Sequence, residues 1–260
     1  MRQWDASNNM KRILLISALL LAVIFTVSAD RRRLLGARDV AGAGASSPTP
    51  DILWWKLNEG SGTTIAGDGS NGGDDATTSA SWTTGASGAG SSLSFNGSSG
   101  YATNNTTLTY STNRIMITWW MKPDAASSRM VFESSVNLNS VDNTFYCYKG
   151  TAAAVEFTAK TGGSRTETFP VTTNAWHHYA AVWDGSVLAG DWSLFMDGAE
   201  VLASATNVTT RSSTAGFDAR ALYVGARGGT SIYYLGLIDD LRIYSGTNYH
   251  DIAAIYANPQ

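Results

Sequence analysis

The side chains that could do chemistry are few. His177 and His178 are adjacent, and adjacent side chains on a strand leave opposite faces, so the pair cannot share one site without a bulge. The other histidine, His250, lies at the start of the last amphipathic segment. Acyl transfer by a Ser-His-Asp set needs a positioned base and an oxyanion hole, and no G-x-S-x-G turn is present to carry the serine. Gly67, Gly69 and Gly72 satisfy G-x-G-x-x-G, but the following DDATTSASW does not open the helix whose N–H groups would face a phosphate. A retaining glycosidase needs two carboxylates about 5–5.5 Å apart, which E-x-E or E-x-D on one strand would supply. Neither occurs: Asp239 and Asp240 are adjacent, and Glu133, Glu156, Glu167 and Glu200 stand alone. The chain therefore reads as non-enzymatic.

The elements that would position any site are short and strand-like. From Asp51 onward, runs such as RIMITWWM (114–121), TFYCY (144–148), AVEFTA (154–159), WHHYAAVW (176–183), WSLFM (192–196) and LIDDLRIY (237–244) are rich in β-branched and aromatic residues. Turn residues separate them, and many such runs at short spacing predict a sandwich or barrel rather than βαβ units. Asp197-Gly198 predicts a two-residue hairpin between WSLFM and AEVLAS, and Asn96-Gly97 is expected to play a similar part after LSF. One short helix is expected at the end, capped by Asn248 with Asp251 three residues on, and with Ile252, Ile255 and Tyr256 on one face.

Charge narrows the partners. The net charge is −3, but residues 1–40 hold seven of the 18 basic and three of the 21 acidic residues, leaving a body with 11 and 18, a net of −7. An acidic body argues against a phosphate-binding surface and so against nucleic acid. The single cysteine, Cys147, rules out an intramolecular disulfide. Its place in the apolar run FYCY predicts a buried, inert thiol.

The N-terminus reads as an address. Lys11 and Arg12 precede the apolar ILLISALLLAVIFTV (13–27), and Val27-Ser28-Ala29 supplies small residues for cleavage before Asp30. Residues 1–29 are thus expected to be a signal peptide, the alternative being an uncleaved anchor. Residues 30–50, which pass from basic residues into Gly, Ala, Ser and Pro, are expected to be a linker, and 51–260 the domain. The expected location is secreted, or the cell surface if the N-terminal segment is retained.

The order of motifs in 51–258 resembles the laminin-G-like jelly rolls of the concanavalin A-like superfamily. WWKLNEGSGTT (54–64) resembles their opening strand and loop, LSFNGSSGYAT (93–103) and ITWWMKPD (117–124) two further strands. WHHYAAVWDG (176–185) and LFMDGAEV (194–201) resemble the central strands, and YVGARGG (223–229) with LIDDLRIYS (237–245) completes the series. The resemblance implies an all-β fold, an antiparallel two-sheet jelly-roll β-sandwich with one short C-terminal helix. It implies recognition of carbohydrate or protein. Trp54 or Trp55, Trp120, Trp176 and Trp183 match packing positions, which leaves Trp119 as the candidate exposed ring for stacking on a sugar. It also suggests a structural Ca²⁺ held by Glu59, Asp68 and Asp239, since jelly-roll order brings first and last strands together. The expected function is a secreted recognition module for glycans or glycosylated surface proteins, with no membrane span after cleavage. The alternatives are a structural or adhesive surface component, or a polysaccharide-cleaving enzyme with an unrecognised site. N-x-S/T sequons stand at Asn96, Asn104, Asn105 and Asn207.

Overall fold

The computed structural model describes residues 47–104, 106–110, 113–135, 137, 142–151, 153–186, 188, 191–201, 204–208, 212–245 and 252–260. The expected signal peptide, most of the expected linker, and Asn105, Asn248, His250 and Asp251 lie outside the described residues.

Alternating apolar and polar residues along these runs allow strands that bury one face. Among the described residues they form two antiparallel sheets. One contains β1 (Leu53–Trp55), β4 (Ser81–Thr84), β5 (Ser91–Asn96), β7 (Arg114–Pro123), β12 (His177–Asp184), β13 (Asp191–Met196), β14 (Ala199–Val201) and β17 (Leu235–Ser245), in the order β14-β13-β12-β7-β17-β5-β4, with β1 also on β17. The other contains β2 (Thr64–Ile65), β3 (Ala76–Thr78), β6 (Ala102–Asn104), β8 (Arg129–Glu133), β9 (Thr144–Thr151), β10 (Ala154–Lys160), β11 (Ser164–Pro170), β15 (Ser204–Val208) and β16 (Tyr223–Val224), ordered β15-β11-β10-β9-β8-β16-β6-β3-β2. This is the jelly-roll β-sandwich that the sequence motifs imply. First and last strands do pair, Leu53 opposite Ile243 and Trp55 opposite Leu241.

The core fills the space between the sheets. Along β7, Ile115, Ile117, Trp119 and Met121 are wholly buried; Phe132 and Phe157 face them from the other sheet, and Tyr179 lies beside Trp119 on the neighbouring strand β12. The outer face of the eight-stranded sheet is covered in part. The C-terminal helix α1 (Ile252–Tyr256) sets Ile252 and Ile255 against Met116, Ala180, Val182 and Tyr244. Cys147 is buried in the main core, and burial pushes its thiol up, as expected of an inert cysteine.

Turn chemistry agrees with the sequence at one of two places. Asp197 (φ 52°) and Gly198 (φ 79°) form the tight hairpin between β13 and β14. Asn96-Gly97 also turns, with Gly97 at φ 77°, but it is not a hairpin: it carries the chain from β5 in one sheet to β6 in the other.

Candidate functional site

The expected stacking residue, Trp119, is corrected by its place. It is fully buried, with Phe132 5.1 Å away edge-on, Tyr179 stacked at 5.7 Å and Phe157 at 6.0 Å. The reason is the strand period: Trp119 shares a face with Ile115, Ile117 and Met121, so its ring has no free surface. Trp120 is on the outer face, half-buried, stacked on Tyr256 of α1 at 5.6 Å.

The expected calcium set does not assemble either. Glu59 Oε1 accepts a hydrogen bond from the Ala66 amide, and Asp68 pairs with Lys56 at 3.3 Å. Asp239 is buried and accepts from the Ala86 and Asp240 amides. Among the described residues no three His, Cys, Asp or Glu side chains gather to hold a metal. Each of the three carboxylates instead serves a backbone or lysine donor in this structure. Asp74 supports the glycine-rich loop by accepting from the Trp54 and Gly69 amides.

The two histidines do face opposite ways. His177 Nδ1 lies 2.6 Å from Asp197 Oδ2. His178 points outward beneath α1 and is 1% exposed, between Trp120 and Tyr256. Burial drives its pKa down to about 4, with Asp240 and Asp197 opposing and Arg242 reinforcing. Neither histidine has a nucleophile set beside it.

A different surface gathers side chains suited to a ligand. In β9, Phe145 and Cys147 are buried between the sheets, so Tyr146 and Tyr148 stand on the outer face of the nine-stranded sheet, half-buried. The same alternation in β10 sends Val155 and Phe157 inward and Glu156 and Thr158 outward. Strand register then lines up Thr103, Tyr223, Glu133, Tyr146, Thr158 and Thr166 across six strands. Tyr146 is opposite Thr158 on β10, whose hydroxyl pairs with that of Thr166 on β11 at 2.7 Å. Burial, the largest influence, and nearby Glu156 raise the Tyr146 phenol pKa; the neighbouring Thr158 and Thr166 hydroxyls and Arg227 oppose them.

Arg227 overhangs this row. It begins a tight turn in which its amide donates to Ser231 O at 2.8 Å and the Thr230 amide donates back to Arg227 O at 3.0 Å. Gly229 is at φ 72°, and a Cβ there would lie 2.8 Å from the Tyr101 ring. Glycine thus lets Tyr101 and the turn meet, with Tyr101 also 6.3 Å from Tyr223. The Arg227 Nε lies 3.8 Å from Glu133 Oε2.

Glu133 and Glu156 share this face but do not make a retaining pair by backbone position. Two strand spacings and a two-residue offset separate their Cα atoms by roughly 12 Å.

Sequence reasoning missed this surface. The signal was present in Phe145-Tyr146-Cys147-Tyr148, where alternation assigns the tyrosines to one face. No local pattern announces that Arg227 folds over Glu133, some 94 residues earlier in the chain.

A family model described as the concanavalin A-like lectin/glucanases superfamily matches residues 95–248. No curated protein sequence matches the chain. Among solved structures, domain 4 of AbnA, a GH43 extracellular arabinanase from Geobacillus stearothermophilus in complex with arabinotriose, is similar with a TM-score of 0.57 and 14% identity. That likeness covers 82% of this chain and 100% of the other. A structure of botulinum neurotoxin type C, titled for a cell entry that depends on interaction with two ganglioside molecules, gives 0.56 at 12% identity, over 80% of this chain and 51% of that one. The botulinum neurotoxin type G receptor binding domain gives 0.52 at 14%, over 80% and 51%. The chain thus spans about half the length of the neurotoxin chains. At these identities the likeness is one of fold.

Proposed function

The chain belongs to the concanavalin A-like lectin/glucanase superfamily, and on that premise we propose that it is an exported, non-catalytic carbohydrate-binding domain. Its glycan site is the outer face of the nine-stranded sheet. The observation that carries this reading is the group of half-buried tyrosines there, Tyr146, Tyr148 and Tyr223. Aromatic rings flanked by the half-buried Glu156 carboxylate and the Arg227 guanidinium offer a sugar both apolar C–H contact and polar partners. Two of the similar structures carry glycans in their titles, arabinotriose in one and gangliosides in the other, which supports the ligand class.

The non-catalytic part of the reading rests on the wide placement of Glu133 and Glu156 and on histidines with no nucleophile beside them. Export rests on the N-terminal signal pattern alone. No helix among the described residues is long and apolar enough to cross a membrane.

The experiment is affinity electrophoresis of the full chain through gels holding neutral and acidic polysaccharides. Reducing-end release is measured in parallel, and the mature N-terminus is sequenced. Retardation by at least one polysaccharide, no new reducing ends and a terminus at Asp30 are expected. Absence of retardation in every gel overturns the glycan reading, and release of reducing ends overturns the non-catalytic one.

A further inference from the structure

We infer that Arg227 is the specificity-determining donor of the tyrosine face and that it selects neutral glycans over acidic ones. The inference rests on the glycan reading above and names the ligand class for that site.

Three observations converge on it. First, the guanidinium has unused donors. Its Nε is buried with no hydrogen-bond acceptor among the described residues, and its closest carboxylate, Glu133, is at 3.8 Å, beyond hydrogen-bond reach. The side chain is 19% exposed, so the rest of the fork is open to a ligand lying on Tyr146.

Second, the turn that carries it is built to stay in place. Two backbone hydrogen bonds close it, and Tyr101 packs on Gly229. The donor is held out before a ligand arrives, so little ordering is paid on binding.

Third, the charge around it is already more than balanced. Glu133 lies beneath Arg227 with a fully buried side chain, and Glu156 acts on the same Tyr146 ring from the other side. Lys160, farther along β10, faces Asp142 at 3.8 Å, and Arg220 is paired with Asp218 at 2.7 Å. A uronate or sialate carboxylate brought to Arg227 meets two carboxylates and one guanidinium. A neutral sugar hydroxyl or ring oxygen accepts from the guanidinium without that repulsion, and its own hydroxyl protons suit Glu156. Glu133 acts through Arg227 and is a positioning residue.

The test is isothermal titration of the full chain with oligosaccharides from linear arabinan and xylan as neutral probes, and from polygalacturonate and alginate as acidic probes, at 20 mM and 200 mM salt. The wild type is expected to bind a neutral probe at least tenfold more tightly than either acidic one, with little salt dependence. Arg227→Gln should weaken neutral binding at least tenfold. Arg227→Lys should weaken it nearly as much, because an ammonium keeps the charge but not the fork. Glu156→Gln should narrow the gap between acidic and neutral probes at low salt. Unchanged thermal melting of each variant separates a lost contact from lost folding. Tighter binding of an acidic probe, or an Arg227→Gln variant that binds like wild type, overturns the inference while the glycan reading stands. Failure of every probe, and of every polysaccharide gel, overturns both.

Discussion

Asp240 takes two hydrogen bonds from Arg242, two residues further along the same strand: Nε to Oδ1 at 2.8 Å and the terminal nitrogen to Oδ2 at 2.6 Å. Both residues are buried, and Asp240 adopts φ 46° where the pairing of β17 with β7 slips. The local bend makes the bidentate contact feasible between side chains that a flat strand would hold parallel. Around the pair, Trp54 donates its indole N–H to Asp240 and the Gln260 amide donates to the same carboxylate. Arg242 also reaches Ser47 and the Asn258 carbonyl.

Breaking this pair from one side leaves a buried charge without its partner. Arg242→Met is expected to cost about 3–5 kcal/mol, read by urea unfolding. The double variant Asp240→Leu, Arg242→Met should recover much of that loss. A double variant as unstable as the single would mean the hydrogen bonds to Ser47, Trp54 and Asn258 carry the stability instead.

Two buried groups give opposing pH dependence. Burial lowers His178 to about 4 from the usual 6.5, so its contribution to stability is full above about pH 6.5 and is lost as pH falls toward 4. Burial pushes Asp239 up to about 7 from 3.8, against the hydrogen bonds from Ala86 and Asp240. Its contribution is present below pH 3.8 and is lost as pH rises through 7. Each amounts to something on the order of 3–4 kcal/mol, so the wild type should show a shallow profile between pH 4 and 7. His178→Phe should then be less stable at pH 7 than at pH 4.5, relative to wild type, and Asp239→Asn the reverse. Chemical denaturation at the two pH values checks both signs.

Core and ligand face should separate by mutation. Trp119→Leu is expected to lower stability by about 3 kcal/mol or more, because it opens a cavity among Phe132, Phe157 and Tyr179. Tyr148→Ala, on a half-buried outer position, should cost about 1 kcal/mol or less of stability yet weaken glycan binding at least fivefold. Titration and thermal melting of the two variants give the comparison. The opposite pattern would move the ligand site off this sheet.

Modification should distinguish the sequons. Asn96 is exposed, whereas Asn104 is 5% exposed and its Oδ1 accepts from the Leu222 amide at 2.6 Å. A folded product from a glycosylating host is expected to carry glycan at Asn96 and none at Asn104, as peptide mapping by mass spectrometry would read.

The strands, the Asp197-Gly198 hairpin and the terminal helix were legible because each depends on a local pattern, and the pairing of first and last strands followed from the family resemblance. The phase of β7 was legible as well, though it was read wrongly. Thr118 shares a face with Trp120, while Ile115, Ile117 and Met121 share one with Trp119, so the more polar phase pointed to Trp120 as the outer ring. Strand β8, RMVFE, escaped notice because four of its five residues are buried and its alternation is broken by a bulge between Met130 and Phe132. With β8 missed, Glu133 stood as an isolated acid, and its meeting with Arg227 is a product of register that no single segment encodes.

The buried pair on β17 also governs what the domain can be attached to. Arg242 donates to Ser47 and the Gln260 amide donates to Asp240, so residues 47 and 260 lie at neighbouring points on the outer face of the eight-stranded sheet. The tyrosines lie on the far side. A fusion joined through residues 47 and 260 would therefore leave the tyrosine face turned away from the junction.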